Sequence, residues 1–183
     1  MNLTILFEAQ KKLDEHIEKE HPREPGEDRL AKKILALQVE LGELANELPE
    51  VFKFWSHKKN NYERALKEYV DCLHFILSIG LEEVEDSFFG DVIQIYSHYY
   101  SKIVTIKENT VIKQFNSLFL EVGLLSDTTD DLAYDVQSIE DDYANILGLF
   151  FGLGEMLGFE WEEIEQAYFR KNKINHERQV QGY

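Results

Sequence analysis

A single cysteine, Cys72, in 183 residues excludes both a disulfide framework and a thiolate zinc site, since each needs several. Nowhere does the chain offer about 18 consecutive uncharged apolar residues, the minimum for a membrane-crossing helix. Its first residues, MNLTILFEAQKK, have neither the basic start nor the long apolar stretch of an export signal. These absences lead us to expect a cytoplasmic protein. Positive charge is scarce as well: Lys plus Arg is 19 against 35 for Asp plus Glu, a net charge of −16. That balance argues against a nucleic-acid polymer or an anionic membrane surface as partner. It leaves room for one nucleotide delivered with its own Mg²⁺. Alternating apolar residues with hairpin turns are also missing, as are internal repeats and low-complexity linkers, so the expected fold is all-α.

What is present is a strong helical pattern. With 44% hydrophobic and 13% aromatic residues the chain has the means for a real core, and its length fits one domain over residues 1–183. Helical spacing runs from Leu3 to Glu20 and ends at His21-Pro22. A second helix starts near Glu27 or Asp28, with Asp28 as candidate N-cap, and continues towards Pro49. Asn60 with Glu63 resembles a capping box for a third, and Glu82 to Asp86 is expected to return the chain to solvent. Further helices are expected over Phe89–Lys107, Val111–Leu125, Ile139–Leu157 and Glu160–Gln179, with Ser126–Asp131 as a loop. This makes a bundle of six or seven helices. Gly148, Gly152 and Gly154 fit close helix contact better than a phosphate loop, because no strand precedes them and GLGEMLG lacks the required spacing. Several helices are apolar on more than one side, and a homodimer is expected.

The segment LKEYVDCLHFILSIGL, from Leu66 to Leu81, is apolar on almost every face once Glu68, Asp71 and His74 are set aside. A helix of that kind is buried, and a buried carboxylate is costly unless protonated, paired or bound to a metal. Glu68 and Asp71 stand three apart and project side by side. Glu40 and Glu43, in LQVELGELANE, repeat the spacing. Acids at this spacing often form a solvated face. Two such pairs, one within an apolar run, instead suit a hard cation such as Mg²⁺, which takes oxygen ligands and keeps waters that a phosphate can displace.

Between Lys113 and Arg170 there is no Lys or Arg at all, after which Arg170, Lys171, Lys173 and Arg178 arrive together. Lys171, Asn175 and Arg178 share one helical face, which suits an anion. Cations in a last helical turn also complement the helix dipole, and both readings stay open.

In ALQVELGELANE followed by FKFWS, in EYVDCLHFIL and in the C-terminal YFRKNKINHERQVQGY, the chain resembles the dimeric all-α dUTPases of the all-α nucleoside triphosphate pyrophosphatase superfamily. LFEAQKKLD near the start is a weaker element of the same likeness, which covers most of the chain. The four-acid signature belongs to the whole superfamily, whereas FKFWS and the Asn-x-x-Arg-x-x-x-Gly-Tyr ending are more particular to these dUTPases.

The resemblance implies that Glu40, Glu43, Glu68 and Asp71 bind Mg²⁺, with Mn²⁺ as a substitute. Water activated by Glu40 and the metals would then convert dUTP, and dUDP as well, to dUMP. It further implies phosphate contacts from Lys171, Asn175, Arg178 and Tyr183, and base contacts from Gln10, Trp55 and Phe75. Phe75 lies one turn beyond Asp71 on the same face. Lys53 fits a phosphate contact or a surface lysine equally.

Three alternatives stand beside this reading. One is a pyrophosphohydrolase of another deoxynucleotide, such as dCTP or a modified pyrimidine. Another is a helical interaction protein without catalysis. The third is a di-iron carboxylate bundle, which needs Glu-x-x-His pairs from two helices. The chain supplies Asp71 with His74 once and has Asn46 at the matching offset from Glu43, which leaves His74 as a core residue or a support behind the ligands.

Overall fold

The structure, a computed structural model, describes residues 2–85, 104–130 and 136–182, without the side chains of 83–85, 128–130 and 136–139. Among the described residues there are seven helices and no strand: α1 (Leu3–Glu20), α2 (Arg29–Asn46), α3 (Pro49–Phe52), α4 (Tyr62–Glu85), α5 (Val111–Asp130), α6 (Val136–Leu157) and α7 (Trp161–Val180). The architecture is all-α, as its periodicity predicts.

α4 is the axis of the molecule. It packs most extensively on α2, then on α7 and α1, while α5 and α6 form a hairpin that α2 and α4 join to the rest. Leu73, Ile76 and Leu77 of α4 are wholly buried and belong to one continuous core that also takes in Leu6, Leu41, Val122, Phe150 and Tyr168. At about 25 cal/mol per Å² of apolar surface removed from water, these contacts drive the association of the helices.

Local chemistry sets the ends. The side chain of Asp28 accepts a hydrogen bond from Ala31 N at 2.8 Å and caps α2. α4 is capped by Asn61, whose Oδ1 accepts from Arg64 N at 3.1 Å, and not by Asn60. Asn60 exchanges two hydrogen bonds with Glu50 instead, tying the loop to α3. Gly158, at φ +79°, closes α6: Phe159 N reaches Gly154 O at 3.0 Å and Gly158 N reaches Glu155 O at 3.1 Å.

Three expectations change. Residues 126–130 continue α5 and are not a loop. Ser, Asp and Thr disfavour a helix interior only by about 0.5 kcal/mol each, and the buried Val122 and Leu125 anchor the preceding turn. Glu82 does not return to solvent, because its carboxylate is paired with Lys33 and Arg23. Nor does a helix reach Lys107: residues 104–108 are non-helical, and the rest of the expected Phe89–Lys107 helix lies outside the described residues.

The segment from Val104 lies along the glycine face of α6. Ile106 N donates to Gly148 O at 2.9 Å, and the buried Gln114 amide donates to Ile106 O and Leu149 O. A side chain at Gly152 would collide with Ile106 O, and one at Gly154 with the Tyr69 hydroxyl. These glycines serve close approach, as expected, although what approaches is non-helical backbone and a tyrosine ring.

Candidate active site

On α4, Asp71, Phe75, Ser78 and Glu82 alternate at spacings of four, three and four, so they form one stripe along the helix. Lys33, Ala36 and Glu40 do the same on α2. With Gln10 and Asp14 of α1 and Lys171, Asn175 and Arg178 of α7, these side chains line a cavity of about 870 Å³.

The acids gather at one end. Glu40, Glu68 and Asp71 each place a carboxylate oxygen within 4.8 Å of the other two. Glu43 falls outside that group of three and is exposed, though its charge still bears on Glu40 and Glu68. Burial is the larger cause, and the charges of Asp71, Glu43 and Glu68 the next, of a Glu40 pKa pushed up to about 7. Glu68 is raised by burial and then by Asp71 and Glu43. Lys171 partly offsets this crowding, with its ammonium 2.5 Å from Asp71 Oδ2. Three partly buried carboxylates whose oxygens lie this close form a hard, all-oxygen donor set, and this fits Mg²⁺ or Mn²⁺ better than a soft metal.

Gln10 and Phe75 line the same cavity, and Gln10 is only 3% exposed. Trp55 is not brought to them. It is 66% exposed in the loop after α3 and packs edge-on against Phe52 and Phe54. The periodicity of a helix fixes which way Phe75 points, whereas Trp55 follows α3 and answers to no such register. Lys53 donates to Asn46 Oδ1 at 2.9 Å and sits over the Phe52 ring, also away from the cavity. Tyr183 lies outside the described residues.

His74 lines the cavity beside Gln10. Its Nδ1 is 2.8 Å from Gln10 Oε1, its ring stacks on Tyr168 with centroids 4.2 Å apart, and burial followed by the charge of Lys171 pushes its pKa down to about 3. Asp71 and His74 therefore do not form one half of a di-iron site, and His74 is not in the carboxylate group.

Sequence reasoning missed the far end of the cavity. Asp14 accepts from Gln10 Nε2 and Ser78 Oγ, both at 2.7 Å, with Lys33 Nζ 3.9 Å away. Lys33 and Arg23 both pair with Glu82. The one available signal was the spacing of four between Gln10 and Asp14, which faces the two side chains on α1.

A family model described as dUTPase matches residues 2–183 of the chain. No curated protein matches it.

Proposed function

Because this chain belongs to the dUTPase family, and is thereby a nucleotide pyrophosphohydrolase of dUTP, we propose that the carboxylate end of the cavity performs a Mg²⁺-dependent hydrolysis of dUTP, and of dUDP, to dUMP. The observation that carries the reading is the convergence of the Glu40, Glu68 and Asp71 carboxylates, two of which, Glu40 and Asp71, line a cavity together with Lys171, Asn175 and Arg178. Acidic and basic groups thus border one space large enough for a nucleotide, with Lys171 paired directly to Asp71.

Glu40, Glu68 and Asp71 would hold the cation, with the exposed Glu43 as a fourth carboxylate. When bound, Mg²⁺ or Mn²⁺ neutralises the phosphate chain and polarises the phosphorus under attack. Glu40 takes the proton of the attacking water. Lys171 exchanges Asp71 for a phosphate oxygen as substrate enters, and Arg178 grips phosphate through its planar fork. Asn175 adds a neutral hydrogen bond. Gln10 and Phe75 contact the base.

The enzyme acts as a cytoplasmic homodimer in this reading. Leu35 and Val39 on α2, at 62% and 52% exposure, and Leu120 on α5, at 61%, leave apolar surface for a second subunit. No helix among the described residues is long and apolar enough to cross a membrane.

Pyrophosphate release from dUTP, dCTP and ATP, and phosphate release from dUDP, with Mg²⁺ and then with excess chelator, test the proposal. Turnover is expected for dUTP and dUDP and only with the cation. Asp71→Ala and Glu43→Ala are expected to lose about a hundredfold or more in kcat while remaining folded. Full activity in either variant rejects its place at the cation, and equal turnover of ATP rejects the base contacts.

A further inference from the structure

The polar capacity of Gln10 is almost entirely committed. Its carbonyl oxygen Oε1 lies 2.9 Å from the Tyr168 hydroxyl and 2.8 Å from His74 Nδ1, which fills both lone pairs. Its Nε2 donates one hydrogen to Asp14 Oδ1 at 2.7 Å. One N–H remains to a side chain that forms part of the cavity wall beside Phe75.

Asp14 decides which way round the amide sits. Burial raises the proton affinity of its carboxyl, and the Lys33 ammonium 3.9 Å away and Ser78 Oγ, which donates to its other oxygen, work against that rise; in the ionised form the group only accepts. Reversing the Gln10 amide would put its oxygen against that carboxylate oxygen with no proton between them. Tyr168 and His74 could serve either orientation, because a hydroxyl and a neutral imidazole can each donate or accept. Asp14 cannot.

We infer that Asp14, through its hold on the Gln10 amide, is a positioning residue for base selection. The wall then presents a lone N–H donor that takes the 4-carbonyl of a uracil ring and rejects the 4-amino group of cytosine. The inference rests on the proposed reading of the cavity as a pyrimidine nucleotide site and adds the device that discriminates within that class. A keto oxygen accepts the N–H. An amine turns a donor towards a donor and leaves two desolvated N–H groups unpaired, a loss of the kind by which buried polar groups discriminate strongly.

The test is the ratio of kcat/KM for dUTP over dCTP, measured with Mg²⁺ on the wild-type protein and on Asp14→Asn. Asparagine can turn either its carbonyl or its amide towards Gln10, which frees the amide to reverse. The wild type is expected to prefer dUTP by about a hundredfold, and the variant to lose about tenfold or more of that ratio, mainly through KM. If Asp14→Asn does not fold, Gln10→Met removes the N–H itself and is expected to show the same loss. A folded variant that slows both nucleotides equally, with the ratio intact, overturns the inference and leaves Asp14 a purely structural residue. Equal use of dUTP and dCTP by the wild type overturns the inference alone. Turnover of neither overturns the reading of the cavity and the inference with it.

Discussion

Glu40 and His74 are both partly or wholly buried titratable groups beside the same cavity, and burial moves them in opposite directions. Glu40, at about 7 against an ordinary 4.5, binds its proton more tightly when folded. Its contribution to stability is fully present below pH 4.5 and is lost as pH rises through 7. His74, at about 3 against 6.5, is held neutral, so its contribution is present above pH 6.5 and is lost as pH falls towards 3. Between pH 4.5 and 6.5 the two slopes oppose each other. Glu40→Gln removes one of them. Without divalent cations, the unfolding free energy of that variant is expected to fall more steeply than the wild type's on acidification from pH 6.5 to 4.5, by less than the limiting value of about 1.4 kcal/mol per pH unit because solvent screens the partly exposed Glu40. Urea titrations at the two pH values measure it, and parallel slopes would refute the Glu40 shift.

Within single elements, the glycines of α6 show how a helix can be built for what lies against it. Propensity alone favours Ala over Gly in a helix interior by about 1 kcal/mol. At Gly152 the added methyl meets the Ile106 carbonyl, which is already held by Gln114 and cannot withdraw without breaking that hydrogen bond. Gly152→Ala is therefore expected to destabilise the fold by about 1–3 kcal/mol despite the better propensity. A chemical denaturation midpoint equal to or above the wild type's would show that the 104–108 segment does not depend on this contact. α4 illustrates the reverse case. Its stripe of Asp71, Phe75, Ser78 and Glu82 runs through otherwise apolar sequence because four neighbouring helices cover every other face.

For the whole molecule, charge and apolar surface act on different functions. A net charge of −16 repels polyanions at a distance, so in the proposed reading a phosphate chain is met locally by Lys171, Arg178 and a cation. The exposed Leu35 and Val39 lie one turn apart on α2, with Glu40 on another side of the same helix. A second subunit can thus cover the apolar stripe without closing the cavity. Replacing both residues by Glu is expected to convert the proposed homodimer to monomer by sedimentation at micromolar concentration, and a wild-type protein already monomeric under those conditions would reject the homodimer.

Helical periodicity determined the all-α class, the burial of α4 and the shared face of Glu68, Asp71 and Phe75, because a 3.6-residue repeat converts spacing directly into direction. It also determined that Asp28 caps α2 and Gly158 ends α6, since those outcomes depend on chemistry within a few residues. Only the tertiary structure decided which helix faces which. That is why Glu43 stands apart from the three converging acids, why Trp55 lies outside the cavity, and why Asp14, unremarkable on its own helix, controls Gln10 through contacts with α4. The same holds for residues 104–108, whose helical pattern yields to a glycine face more than 40 residues further along the chain. Spacing specifies a side chain's direction within its own element, whereas its partners depend on how separate elements pack, and that is settled by the shared core.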